Sequence, residues 1–471
     1  MAERDAQRVR QDLARVLDPE RVDWSDNALV EHARDTWPLA LLREHENRLS
    51  TRPACVVRPT STDEVAAVLR YANRERVPVV PFGGGSGVCG GVLPPAGAIV
   101  VDMRRMDQLL ELNELALQAR VQAGMYGHHF EAALAARGYS MGHWPQSVSI
   151  STVGGWVATR AAGQFSTRYG SIEDMLLGLE AVLPDGRVVR IKPAPRRAAG
   201  PDLRHVFLGA EGTIGIVTEL TVKVFPEPES RKLLSFALPD FDAGLEAIRH
   251  IVRVGWRPPV LRLYDPMESG RHFGQWQPDD RSVLLVVTEG PAALAAVEAE
   301  ACHAISTGHG GEALGEAPVQ HWLAERNNVP SLLSFIERGF VLDTIEVAAE
   351  WDRIHTLYGE VCAAVRTVKG LVVISGHSSH SYAQGTNIYF TFVARPQDPA
   401  EAESTYLACW EQAMEATLRA GGTISHHHGI GRMRTRWMPA EHGEGLSVLR
   451  AMKRALDPNG ILNPGVLLPD E

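Results

Sequence analysis

Two polar clusters near the C-terminal end hold the residue types that acid–base or metal chemistry needs. One is Gly376-His377-Ser378-Ser379-His380-Ser381-Tyr382, followed by Asn387-Ile388-Tyr389. The other is Ser425-His426-His427-His428-Gly429-Ile430-Gly431-Arg432. Imidazole and phenol groups exchange protons over hydrogen-bond distances, so this pairing suits general acid–base work. Three consecutive histidines first suggest a metal. Neighbours on regular structure face opposite ways, however, so only His426 and His428 would share a strand face. No metal ligand set is assigned, and a His-only zinc site stays open as the alternative. The Gly429-x-Gly431 turn lets backbone approach a bound ring closely.

Glycine-rich segments in the first half point to phosphate binding. Gly85-x-Gly87-x-x-Gly90 follows the apolar run Val77-Pro78-Val79-Val80 and matches the dinucleotide fingerprint letter for letter. In that motif a helix opening in the loop holds the pyrophosphate. Here Gly91-Val92-Leu93-Pro94-Pro95-Ala96-Gly97 follows, and its prolines preclude such a helix. No Gly-Lys-Ser/Thr ends a glycine run, which removes a Walker loop. What remains is a stretch of small residues whose N–H groups can form an anion-binding nest. Two further blocks, Gly142–Gly170 and Gly209–Val217, also sit at strand ends with Ser or Thr nearby. Together they imply one large phosphate-bearing cofactor.

The elements that position these residues change character along the chain. Ser61 or Thr62 caps a helix running to about Arg76. Strands are expected at 77–80, 98–102, 116–121, 176–183, 187–191 and 219–224, and a helix at 127–138. Pro226-Glu227-Pro228 reads as a boundary. Beyond it, strands at 234–238, 283–288, 341–347 and 387–394 alternate with helices at 241–254, 291–304, 351–366 and 399–420, an α+β layer. A last helix covers 444–456. With 45% hydrophobic and 22% charged residues, the 471-residue chain is globular rather than disordered. Its 47 basic and 57 acidic residues, with no Lys/Arg run, argue against nucleic-acid binding. Five cysteines without a C-x-x-C favour neither a disulfide scaffold nor a zinc ribbon. No apolar run spans a bilayer, the start lacks a signal core and the end lacks a peroxisomal address. A cytoplasmic enzyme with a small-molecule substrate is expected, and a homodimer is compatible with the sequence.

In order and spacing, Pro81–Gly91, Pro145–Gly163 and Glu211–Val217 resemble the flavin domain of the vanillyl-alcohol-oxidase superfamily, in its branch of FAD-linked oxidases and transferases. The resemblance runs from about Arg58 to Leu468. It implies an N-terminal helical segment over 1–49 and a PCMH-type FAD-binding domain of two subdomains over 50–227. An antiparallel-sheet cap with helices over 228–420 and a C-terminal segment, 421–471, returning to the flavin with the His run would complete this α+β fold. It assigns FAD to Pro81, Phe82, Gly83, Gly84, Gly85, Ser86 and Gly87, and to Gln146, Ser147, Val148, Ser149, Ile150, Ser151 and Thr152. Ala158, Thr159, Arg160 and Ala161 follow, with Glu211, Gly212, Thr213, Ile214, Gly215, Ile216 and Val217. Members that attach FAD covalently use His or Cys. The first loop has no His, the 144–155 stretch has no Cys, and Cys89 lies beyond the loop's core, so noncovalent FAD is expected.

Metal-dependent D-2-hydroxyacid dehydrogenases of this superfamily carry Gly-His-x-Gly-Asp-Gly-Asn-x-His and a later Glu-His-Gly-x-Gly. Here His377 keeps the first position, but Tyr389 and His427 stand where the second His and the Glu would be. A set without carboxylate suits a hard metal poorly. The chain is more similar to alkylglycerone-phosphate synthases. Ser425–Arg434 echoes their Ser-His-His-His-Gly-x-Gly-Lys-x-Arg run with Arg432 in place of Lys. Gly154–Gly163 matches their Gly-Gly-Trp-Val segment, and Gly142–Ser147 their Gly-His-x-Pro-x-Ser with Gln146 in place of Asp. Arg262–Asp265 matches Arg-Leu-x-Asp, and Tyr382 precedes Tyr389-Phe390-Thr391-Phe392 as their active-site Tyr precedes such a strand. The resemblance implies Tyr382, His426, His427, His428 and Arg262 as catalytic residues, with Arg326, His143 and His377 binding substrate. It implies redox-neutral chemistry in which flavin N5 traps a keto substrate's carbon, acylate leaves and a fatty alcohol adds. The alternatives are an FAD-dependent D-2-hydroxyacid dehydrogenase or oxidase, passing electrons to oxygen or another acceptor, and a flavin-free binding protein. For single residues the plainer readings are an Arg262–Asp265 surface pair, Tyr382 as a strand-edge aromatic, and His377 and His380 as loop polar residues.

Overall fold

Three larger sheets carry the chain in a computed structural model that describes residues 3–49, 52–277, 280–329 and 331–469. The sequence boundary at residue 50 and both chain ends lie outside the described residues. The first sheet orders Val22–Asp23, Cys55–Val57, Ile99–Asp102 and Val79–Phe82, the last three parallel. Its parallel strands are near-continuous apolar runs, as strands buried on both faces are. Val56, Val79, Val80 and Val100 are fully buried. The crossover helix Thr62–Glu75 begins at Ser61, whose side chain accepts the Glu64 N–H, and ends at Arg76 in the left-handed region. By contrast, Val79–Phe82 passes to Ile99–Asp102 with no helix between them. The prolines behind the literal fingerprint have the effect expected of them.

The second sheet is antiparallel and orders Leu109–Asn113, Gln118–Gln122, Ile216–Lys223, Leu176–Val182 and Val188–Ile191. Within the second glycine block, Val153–Thr159 forms a short helix capped by the Thr152 side chain. Two glycines weaken helix propensity there. Burial of Val153, Trp156 and Val157 on one side compensates.

The third sheet has seven antiparallel strands, in the order Glu312–Ala313, Ser230–Leu238, Ser282–Gly290, Val260–Tyr264, Leu371–Ser378, Gly385–Ala394 and Val341–Glu350. Helices Phe241–Arg253, Ala292–Gly308, Ile354–Val365 and Ala402–Arg419 contribute to a core with Leu261, Leu263 and Phe390. Three of these strands escaped the sequence reading: the two-residue edge strand Glu312–Ala313 and two that matter most for the site. Val260–Tyr264 carries Arg262, and Leu371–Ser378 carries His377. Leu261 and Leu263 enter the helix-covered core while Val260 and Tyr264 enter a second cluster with Trp322. Strand alternation therefore puts Arg262 on the Trp322 side.

The terminal segments lace these layers together. Val9 and Leu13 pack in one core with Leu69, Val79, Ile461 and Leu462. The Val79 N–H donates to the Ile461 carbonyl at 2.8 Å, and the Asn463 N–H returns to the Val79 carbonyl at 2.8 Å. Trp37 Nε1 donates to Tyr406 Oη at 3.1 Å, and that hydroxyl donates to buried Asp343. Among the described residues no helix is long and apolar enough to cross a membrane.

Candidate functional site

The glycine loops converge. A β-carbon on Gly84 would overlap the Ile150 carbonyl, one on Gly212 the Pro81 ring, and one on Gly431 the Cys89 carbonyl. The first loop thus touches the second, the third and the turn behind the histidine run. Gly431 also has φ of 55°, a left-handed conformation that a side chain strains. Glu211 fastens that turn, accepting the N–H groups of Ile430 at 2.7 Å and Gly431 at 2.9 Å. Asp35 fastens the first loop from the other side, accepting the Gly91 N–H at 2.9 Å. Burial pushes both carboxyls up to about 7, although the N–H groups they accept from pull the other way.

The other residues expected at the cofactor divide by what their side chains touch. Those of Val148, Ile214 and Ile216 enter hydrophobic cores, leaving only their backbone for a ligand. Ser151 accepts from Trp156 Nε1, Thr159 bonds the Gly155 carbonyl, and Thr213 bonds the Ala210 carbonyl. Arg160 pairs with Glu173, and the Gln146 amide donates to the Asn328 carbonyl. Ser149 and Ile150 are exposed.

The histidine run is brought to two tyrosines. His426 Nε2 lies 2.7 Å from Tyr382 Oη, and His427 Nε2 lies 2.5 Å from Tyr389 Oη. Their Nδ1 atoms are 2.8 Å apart. Burial pushes the Tyr382 phenol up to about 12. It pushes His426 down, His427 far down and His428 to about 4. At neutral pH Tyr382 and His426 therefore form a neutral hydrogen-bonded pair.

Glu346, on strand Val341–Glu350, holds this loop from beneath. It accepts the N–H groups of His426 at 2.6 Å, His427 at 3.2 Å and His428 at 2.8 Å. Ser425 Oγ at 3.1 Å and Arg434 Nη1 at 2.9 Å also donate to it. Burial works to raise its pKa, but Arg434 and the histidines outweigh that and hold it below the usual carboxylate range. The sequence reading missed Glu346. Its signal was an acid set between Ile345 and Val347 in a strand that also carries Asp343 and Glu350.

A second assembly holds the cations. Arg262 donates from Nε to Tyr264 Oη at 2.5 Å and from Nη2 to His377 Nε2 at 2.9 Å. A guanidinium only donates, so that nitrogen must accept and His377 Nδ1 carries the proton. Nδ1–H donates to Glu268 at 2.7 Å, and Glu268 also accepts from Thr391 Oγ1 at 2.8 Å. Asp265 is not the partner of Arg262. It caps helix Pro266–Phe273 and accepts the Tyr358 hydroxyl at 2.9 Å. The His377 ring stacks on Tyr389 at 4.7 Å, which joins this assembly to the histidine run. Trp322 lies 5.8 Å from both guanidiniums, Arg262 and Arg326. Arg326 also lies over Trp144 at 5.2 Å and Phe165 at 5.0 Å. Burial pushes Arg326 down to about 10. Among the described residues neither arginine has a carboxylate partner. Two guanidiniums thus flank the Trp322 indole with no carboxylate beside them, an arrangement of charge suited to an anion. His143 is not brought to the histidine run by any ring contact. It is buried against Trp156 at 4.6 Å, pushed down to about 3 by that burial, with no hydrogen-bond partner for either nitrogen among the described residues.

Residues 53–192 match the FAD binding domain family, and residues 227–467 match the C-terminal domain of FAD linked oxidases. The chain belongs to this family of FAD-linked oxidases. It is 38% identical over 434 residues to the FAD-linked oxidoreductase YgcU of Escherichia coli K12, covering 89% of this chain and 90% of YgcU. It is 31% identical to the alkyldihydroxyacetonephosphate synthase of Trypanosoma brucei brucei, covering 97% of this chain and 80% of that one. A solved alkyldihydroxyacetonephosphate synthase superposes with a TM-score of 0.82 at 26% identity, covering 97% of this chain and 84% of that chain. The α+β fold is that of the PCMH-type FAD-binding proteins, and FAD is the cofactor. The converging loops fit it: their small residues leave backbone N–H groups for a diphosphate.

Proposed function

We propose that the chain is an FAD-dependent enzyme of the alkylglycerone-phosphate-synthase type, acting on a small keto or hydroxy substrate that bears phosphate or carboxylate. The observation that carries this reading is the neutral Tyr382–His426 pair, 2.7 Å apart, beside two guanidiniums without carboxylate partners. Bound FAD supplies a ring nitrogen able to accept carbon or hydride from the substrate. Tyr382 and His426 move the proton between the substrate carbon or hydroxyl and the protein, and His427 with Tyr389 extends their hydrogen-bonded chain. His428, beside Tyr389 and His427, adds to the polar lining. Arg262 and Arg326 bind the anionic group, and Glu268 acting through His377 aims Arg262. Cys89 is buried, and burial raises its thiol far above neutrality, which fits noncovalent FAD.

An anaerobic spectral titration of the yellow protein tests this. Acyl-dihydroxyacetone phosphate should exchange its acyl group for an alkoxy group while the flavin stays oxidised. Bleaching by a D-2-hydroxy acid would establish the dehydrogenase reading instead. A colourless protein that takes up no FAD would refute both.

A further inference from the structure

His380 was not among the expected site residues, yet the fold sets it beside the histidine run. One nitrogen each from His380, His426 and His427 lies within 4.8 Å of the others. We infer that these three imidazoles form a binding site for a borderline divalent cation of the zinc class.

The outer nitrogens carry the argument. Metal-bound histidines commonly donate their second N–H to an oxygen, which fixes the tautomer and aims the ring. All three rings have such an oxygen: Ser166 Oγ at 2.7 Å from His380 Nδ1, Tyr382 Oη at 2.7 Å from His426 Nε2, and Tyr389 Oη at 2.5 Å from His427 Nε2. With those nitrogens as donors, the Nδ1 atoms of His426 and His427 face each other as lone pairs at 2.8 Å. A cation bound to both at about 2.0–2.1 Å removes that repulsion as the rings part to the roughly 3.3 Å that two tetrahedral ligands span. His380 is preset for the third position, because Asn387 Oδ1 accepts the N–H groups of Ser379 at 3.0 Å and His380 at 2.9 Å. Glu346 lies 3.7 Å from His427 Nδ1 and adds negative potential without joining the donor set. Three imidazoles suit zinc, copper or nickel rather than magnesium or calcium. Three protein ligands leave a fourth position for water or an anionic ligand.

Occupancy has a consequence that rests on the proposed acid–base roles, whereas binding itself does not. With a metal on Nδ1, His426 presents N–H to Tyr382 and cannot take its proton. Metal binding and proton transfer by this pair exclude each other.

The test uses chelator-stripped holoprotein titrated with Zn²⁺ against a chromophoric chelator. One tight equivalent per chain is expected. His380→Ala should weaken it by at least about tenfold with the flavin spectrum retained, and Ser166→Ala, which removes only an outer oxygen, by about tenfold. His355→Ala, at the surface cluster with Asp242 and Glu246, should leave it unchanged. Absence of a tight equivalent, unchanged affinity in His380→Ala, or loss in His355→Ala overturns the site. Flavin bleaching by hydroxy acids would change the proposed reaction and leave this result untouched.

Discussion

Replacing Glu346 with Gln should loosen the histidine run without emptying the core around it. The carboxylate is wholly buried and accepts five hydrogen bonds, three from consecutive peptide N–H groups, one from Ser425 and one from Arg434. An amide of the same shape turns one acceptor atom into a donor that faces other donors. It also leaves fully buried Arg434 without the charge it pairs with. Breaking one side of a buried ion pair costs about 3–5 kcal/mol. That is a large fraction of the roughly 5–15 kcal/mol that holds a typical domain together. The assay is thermal unfolding by circular dichroism with flavin release followed in parallel. Arg434→Met and the double variant close a double-mutant cycle, in which the double variant should cost less than the two single costs added. The carboxyl's pKa is depressed in the folded state, so its contribution is present above the unfolded value and lost as pH falls through the folded one. The gap between parent and variant should therefore be full at neutral pH and shrink below about pH 4. A Glu346→Gln protein that melts with its parent at neutral pH, or single costs that simply add, would refute the reasoning.

Three other outcomes are expected. Tyr382→Phe should lower turnover by about 10²–10⁴-fold with FAD still bound, and near-normal turnover would remove Tyr382 from the chemistry. Gly84→Ala should lower the flavin-to-protein absorbance ratio because its methyl overlaps the Ile150 carbonyl. Gly359→Ala, which meets nothing within 4 Å in its helix, should leave the ratio intact. Glu211, raised from 4.5 to about 7, favours folding below its unfolded value and loses that advantage as pH rises through the folded one. Over pH 4.5 to 7 the loss amounts to about 3 kcal/mol, so melting temperature against pH should fall less steeply for Glu211→Gln than for the parent.

The features visible in the sequence were those encoded locally. The glycine loops showed because close backbone approach excludes every other residue type, and the prolines after Gly91 decided against a helix. The long amphipathic helices of the cap appeared within a few residues of their observed ends. What stayed hidden depends on pairing across the sheet. Val260–Tyr264 is a five-residue strand between Pro258-Pro259 and Asp265-Pro266, too short for its alternation to stand out. The spacing of Arg262 and Asp265 invited a local ion pair. The observed partner, His377, arrives from a strand 115 positions away. Glu268 and Glu346 act through atoms that become neighbours only when distant strands align. Tyr389, read as the place of a missing metal ligand, stacks on His377 and bonds His427 instead.

Glu346 belongs to the seven-stranded sheet and Glu211 to the loop before strand Ile216–Lys223, yet both grip the same ten-residue turn, from Ser425 to Arg434. Moving the seven-stranded sheet away from that loop would strip one of the two buried carboxylates of its N–H partners, whichever side the turn stayed with.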